Sequence, residues 1–169
     1  MKVLVTGAFG NVGFVLLKRL MEMPDIRIVA FDVKNDVTLK RWRKIGGKKS
    51  KMDVIWGDVR RFDDVLSAVQ GVDTIVHLAT IIAPKSEEIL EIAYEVNVGG
   101  TRNLIAAVKR LDREPRFIFA SSVTVFGRTQ HLDPPITVDH LVQPTDNYTA
   151  HKIECERMIR SELRNWVIL

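Results

Sequence analysis

The 169-residue sequence predicts an α/β fold, a doubly wound parallel sheet covered by helices on both faces, in one domain spanning residues 1–169. Two observations carry this expectation. Short β-rich apolar runs alternate with segments of helical period, the pattern of a sheet buried on both sides. The first of these runs empties directly into a glycine-rich turn that opens a helix. The composition permits such a core, with 46% apolar and 27% charged residues. No apolar run approaches the ~20 residues of a membrane span.

Taken in order, strands are expected at about 2–6, 26–32, 53–57, 73–79, 116–121 and 166–169. Helices fit 11–23, 62–70, 86–111 and 147–164, the third either continuous or divided at Gly99-Gly100. Residues 38–51 are polar, basic and glycine-containing, and read as a short helix plus loop. Gly127 to Thr145 carries Pro134, Pro135 and Pro144 with no clean period, and reads as a loop on the active-site side.

Charge and cysteine usage narrow the setting. Seven of the 25 basic residues fall between Lys40 and Lys51, and outside that segment acids outnumber bases. A nucleic-acid binder is therefore not indicated, and the basic run reads as a solvated surface face. The N-terminal apolar run is too short for a signal peptide and lacks a cleavage pattern. A single cysteine, Cys155, precludes an internal disulfide and fits a reducing, cytoplasmic setting.

The glycine turn is Gly7-Ala8-Phe9-Gly10-Asn11-Val12-Gly13. Gly7 permits the tight exit from the strand, Gly10 lets backbone approach a pyrophosphate, and Gly13 lets the helix lie close on the sheet. The helix start then offers free N–H groups to phosphates. Alone such a triplet is weak evidence. The second strand, however, ends in Asp32, a carboxylate suited to the adenosine ribose hydroxyls and repulsive to a 2′-phosphate. That combination points to NAD, while Lys34 and the basic run leave NADP open. Asp58, beside Val59 at the end of the third strand, suits the adenine amino group, a helix cap, or both.

The chemistry-bearing residues lie downstream. Tyr148 and Lys152 share one helix face at i, i+4. A nearby ammonium and a nicotinamide cation would lower the tyrosine from its usual ~10, making it an acid/base for a hydroxyl or carbonyl. Ser121 and Ser122 arrive at the carboxyl end of the fifth strand, where α/β sheets bind ligands, and Ser122 suits the reacting oxygen. Its plainer alternative is a turn cap. His77, His151 and Cys155 lack companion ligands or an activating neighbour and are read as structural.

Together these segments resemble the extended short-chain dehydrogenase/reductases, the NAD-dependent epimerase/dehydratase group. The resemblance rests on Thr6 to Gly13, Asp32, Gly57-Asp58-Val59, His77-Leu78-Ala79, Asn97-Val98-Gly99-Gly100-Thr101, Ser121 to Gly127, and Tyr148 with Lys152, in the family's order over the whole chain. It implies a Rossmann-type sheet of strand order 3-2-1-4-5-6. It also implies Ser122, Tyr148 and Lys152 as catalytic residues, with Lys152 also holding the nicotinamide ribose. Gly7, Phe9, Gly10, Asn11, Val12, Gly13, Asp32, Asp58, Val59, Leu78, Ala79, Thr80 and Asn97 are then the cofactor-binding set, with Tyr148 and Lys152. Asn97 has the alternative of a polar contact at a helix kink.

What the resemblance implies for function is hydride transfer with NAD on a hydroxyl-bearing small molecule. A nucleotide-sugar epimerase leads; an alcohol or sterol-type dehydrogenase, or a non-catalytic NAD-binding module, are the alternatives. A homodimer through the two long helical regions is expected. Three departures stand out. Phe126 replaces a usual tyrosine, and Val123-Thr124 replaces the Asp-Glu of sugar-nucleotide 4,6-dehydratases. The third is length: family members are nearly twice as long, so with Trp166 to Leu169 reading as a strand entering a sheet, the sequence is expected to be a fragment lacking the substrate domain.

Overall fold

Alternation along the first strand sets the layers. In β1 (Lys2–Thr6), Val3 and Val5 face one side of the sheet and Leu4 the other, all essentially buried. In β2 (Arg27–Asp32), Ile28 and Ala30 join the first side, and Val29 and Phe31 the second. The computed structural model describes residues 1–45, 51–130 and 133–169. Its sheet continues through β3 (Met52–Trp56), β4 (Thr74–His77), β5 (Arg116–Phe119) and β6 (Trp166–Ile168). All neighbours are parallel, in the order β3-β2-β1-β4-β5-β6 predicted from the sequence.

Two cores result. On the first side α1 (Asn11–Glu22) packs Leu17 and Met21 against Val3, Val5 and Ile28. On the other, α3 (Phe62–Ala68), α6 (Gly100–Val108) and α7 (Asn147–Glu162) press Val65, Leu104, Ile105 and Ile159 onto Leu4, Val29, Ile75 and Phe117.

The expected helix at 86–111 is divided, but not at its glycines. The break falls at Ile89 (φ −126°, ψ 60°), between α4 (Lys85–Glu88) and α5 (Leu90–Tyr94). A wide π-type turn, Glu95–Gly99, leads into α6, and Gly99 and Gly100 keep helical dihedrals. The basic segment also differs from expectation. Its helix, α2 (Asp36–Lys44), starts earlier because Asn35 and Thr38 form a reciprocal cap. Residues 46–50 of that run, including Lys48 and Lys49, lie outside the described residues.

Register then builds the site. Thr6 aligns with Phe31 and His77, and His77 with Phe119, so four strands end at one level. Gly7 leaves β1 there at φ +62°, and a Cβ on it would stand 2.8 Å from the Ala79 nitrogen. At Gly13 a Cβ would collide with the carbonyl oxygens of Gly7 and Ala8, neither of which can yield. Gly13→Ala is therefore expected to destabilise the fold by about 1–3 kcal/mol in urea unfolding. Gly99→Ala, helical and with nothing within 4 Å of its Cβ, should stabilise it by about 0.5–1 kcal/mol.

Candidate active site

A cleft of about 420 Å³ opens over the carboxyl ends of β1, β2, β3 and β4. It brings together Gly7, Phe9, Gly10, Asp32, Asp58, Val59, Leu78, Ala79 and Thr80, nine of the residues singled out from the sequence. Asn11, Val12 and Gly13 lie just behind, in the first turn of α1, where no acidic side chain competes for the helix N-terminus.

Asp32 closes the glycine turn. Its carboxylate accepts from the Phe9 N–H at 2.7 Å and the Val33 N–H at 2.8 Å. Burial pushes its pKa up, partly offset by those two bonds and by Arg41. The contact from Arg41 was not anticipated, since its segment reads as a solvated face. Its guanidinium instead donates to the Phe9 carbonyl at 2.7 Å and to Asn11 Oδ1 at 2.6 Å. A signal did exist: Thr38, Arg41, Trp42 and Ile45 recur at i, i+3, i+4 and i+7, which puts an arginine on the inward face of α2.

Asp58 departs from one of its two expected roles. Helix α3 starts at Arg61 without a side-chain cap, so Asp58 does not cap it. Its carboxylate is instead gripped by the Arg60 guanidinium, which holds it below the usual carboxylate range. It still lines the cleft.

His77 and Asn97 brace the floor. Thr6 Oγ1 accepts from the Leu78 and Ala79 N–H groups, so its one proton goes to His77 Nδ1 at 2.7 Å. His77 Nε2–H then donates to Thr101 Oγ1 at 3.0 Å, and Thr101 donates to the Asn97 carbonyl. Burial holds this imidazole neutral, its pKa pushed down to about 3. The Asn97 amide accepts from Thr80 and the Ile81 N–H and donates to the Ile81 carbonyl and His151 Nδ1. All of these contacts hold the 80–81 loop in place; Asn97 itself does not line the cleft. Cys155 is a buried thiol, raised to about 11 by burial and bonded to Asn97 and Thr101.

Ser122, Tyr148 and Lys152 gather beyond β5. Asp146 caps α7 through the Thr149 N–H, which places Tyr148 in the first turn and Lys152 in the next. Ser122 begins a short 3₁₀ turn (Val123–Phe126) and accepts from the Thr124 N–H, so it is the turn cap weighed from the sequence. Its hydroxyl also lies close enough to Tyr148 to favour the phenolate. Glu87 of α4, unmarked by any sequence pattern, ties down the start of α7 through the Asn147 amide and the Tyr148 N–H.

Burial dominates the electrostatics at the tyrosine. It pushes the Tyr148 phenol up, and the Ser122 hydroxyl offsets this only in part. The Lys152 ammonium donates to the Ala120 carbonyl at 2.7 Å and lies 5.6 Å from the Tyr148 ring centre. Burial lowers its own pKa to about 8. Among the described residues no cluster of three His, Cys, Asp or Glu side chains suits a metal ion.

With this geometry in view, comparison with known proteins decides the lineage. The model of the NAD dependent epimerase/dehydratase family matches residues 3–166. The chain belongs to that family. A 3-beta-hydroxysteroid dehydrogenase from Mycolicibacterium neoaurum is 32% identical over 164 residues, 94% of this chain and 42% of its own length. UDP-glucose 4-epimerase 3 from Oryza sativa subsp. japonica is 31% identical over 165 residues, 94% of this chain and 43% of its own. The structure of UDP-glucuronic acid 4-epimerase from Bacillus cereus with UDP-glucuronic acid and NAD is 23% identical. It shares the fold, with a TM-score of 0.86 over 99% of this chain and 55% of that one. The chain thus spans about half the length of the relatives it matches.

The cofactor of this family is NAD, and the cleft fits it. A Cβ at Gly10 would meet only the Gly7 carbonyl at 3.0 Å and would otherwise occupy open space at the mouth of α1. That bare backbone is what a pyrophosphate needs.

Lys152 supplies a pH test. Its folded pKa lies below the ordinary 10.5, so between about pH 8 and 10.5 the unfolded chain binds more protons and stability rises with pH. From pH 7.5 to 9.5 the wild type should gain about 2 kcal/mol relative to Lys152→Met in urea unfolding. A relative loss would mean that the buried ammonium is stabilised.

Proposed function

We propose that this chain carries the redox half of an NAD-dependent oxidoreductase or epimerase acting on a hydroxyl-bearing small molecule, with a nucleotide sugar as the leading substrate class. The observation that carries this reading is the convergence of Ser122, Tyr148 and Lys152 at the end of β5, one strand from the cleft built on Gly7 and Asp32. When bound, NAD supplies the hydride acceptor.

The residues divide the remaining work. Asp32 takes the ribose hydroxyls, and the N–H groups at the start of α1 take the phosphates. Ser122 donates to the substrate oxygen and fixes its position. Tyr148, a phenol at neutral pH, gives its proton to a carbonyl oxygen, or as phenolate takes one from a hydroxyl. Lys152, buried and poised near pH 8, is the positive charge that stabilises that phenolate. An epimerase would give back its substrate with one carbon inverted, and a dehydrogenase would release the oxidised product. Val123 and Thr124 offer no carboxylates for the dehydratase step, which favours these outcomes over dehydration.

A second reading, an alcohol or sterol-type dehydrogenase, is favoured by the 32% identity to a hydroxysteroid dehydrogenase. In either case the reading places the protein in the cytoplasm as a homodimer, joined by the α5–α6 and α7 surfaces where Leu90 and Tyr94 are exposed.

The purified chain with NAD and either UDP-sugars or 3β-hydroxysteroids separates the readings. Inversion at a sugar carbon without NADH build-up marks an epimerase. NADH build-up marks a dehydrogenase, and NAD binding with neither marks a non-catalytic module. Tyr148→Phe should lower turnover by about 10²–10⁴-fold while leaving NAD affinity within a few-fold. Unchanged turnover would remove Tyr148 from the chemistry. Sedimentation of the chain should give twice the monomer mass, and Leu90→Glu should return it to one.

A further inference from the structure

The two ends of one residue's backbone are held by opposite charges. Asp32 accepts the Phe9 N–H at 2.7 Å, and Arg41 donates to the Phe9 carbonyl at 2.7 Å and to Asn11 Oδ1 at 2.6 Å. Carboxylate and guanidinium therefore flank the glycine turn from the same side of the cleft, which both line. The guanidinium has further N–H donors beyond the two used here, in the planar fork that suits phosphate. Arg41 is close enough to Asp32 to lower its pKa, which places its charge within electrostatic reach of whatever Asp32 binds.

From this pairing we propose that Arg41 is a specificity-determining residue of the cofactor cleft, a cation presented to the 2′-position of the adenosine ribose. This inference rests on the reading of Asp32 as the ribose ligand. An added 2′-phosphate is repelled by Asp32 and attracted by Arg41, so the preference for NAD is a balance of two fixed charges. Asp32 holds that balance toward the unphosphorylated cofactor. Removing its charge leaves a site already furnished for NADP, with no new cation required. A neutral polar residue at position 41 would instead leave NADP excluded whatever stood at 32.

The test is binding of NAD and NADP, followed by titration calorimetry, on the wild-type chain and on Asp32→Asn, Arg41→Ala and the double variant. Asparagine keeps an acceptor for the Phe9 N–H while deleting the charge. The expected result is a rise of ten- to a hundredfold in NADP affinity relative to NAD in Asp32→Asn, lost in the double variant. Arg41→Ala alone should weaken NADP at least tenfold more than NAD, which decides the matter even if Asp32→Asn does not fold. Equal weakening of both cofactors by Arg41→Ala, or a gain that survives in the double variant, would reduce Arg41 to a brace for the glycine turn and overturn the inference alone. No NAD binding by the wild type would overturn the reading of the cleft and this inference with it.

Discussion

The ends of β1 and β4 pass within touching distance of one another's backbone, and the placement of the site follows from that contact. Gly7 can pass beside Ala79 only because it has no side chain, and α1 can lie across Gly7 and Ala8 only because Gly13 has none. Two parallel strands exit at one level here, and the backbone ladder between them ends with the Leu78 N–H on the Thr6 carbonyl. The Thr6 side chain extends it, receiving the N–H groups of Leu78 and Ala79 on one hydroxyl oxygen. That oxygen can accept twice only while its proton goes elsewhere, and His77 provides the acceptor. The tautomer of His77 is thus fixed by counting protons, and the chain of donors runs one way from Thr6 to the Asn97 carbonyl. A charged imidazole would break it, since Nδ1 would then have no lone pair for Thr6. Burial of His77 keeps the wire in its working state across the physiological range.

The same economy joins the cofactor side to the chemistry side. The carbonyl that ends the wire belongs to the wide turn Glu95–Gly99. The side chain of the same asparagine holds Ile81 on one side and His151 on the other. His151 stands between Tyr148 and Lys152 in α7. One residue therefore couples the loop at the cleft wall to the helix carrying Tyr148 and Lys152, without itself lining the cleft. Glu87 makes a second tie from α4 to the start of α7. These are positional constraints, and they explain why so much buried polarity is tolerated here: among the described residues no buried side-chain N or O lacks a partner.

What could be read from the sequence was what is local or periodic. The glycine turn, Asp32 at a strand end, and the i, i+4 spacing of Tyr148 and Lys152 are each written within a few consecutive residues, and the strand order came with the family resemblance those segments carry. What escaped is contact between segments distant along the chain. Arg41 meets Phe9 and Asn11 across some thirty residues, and Glu87 meets Asn147 across sixty. Gly99-Gly100 was an obvious place to divide a helix, yet tertiary packing kept both helical and put the break at Ile89, a residue no propensity marks. Asp58 had the composition of a cap, but Arg60, two residues away, was a stronger partner for its carboxylate.

The arrangement also separates two kinds of choice. The cofactor cleft sits on the aligned strand ends, where a shift of one residue in register would move Gly7, Asp32 and Ala79 out of reach of one another. The residues just beyond β5 are of another sort: Val123, Thr124 and Phe126 lie on a 3₁₀ turn that packs chiefly against α7. Side chains there can be exchanged without disturbing the sheet, since only Val125 of that turn is buried. Relatives named for sugars and for steroids match this chain almost equally well. That is the expected outcome when the cofactor cleft is written into the sheet register and the exposed turns beyond it are free to vary.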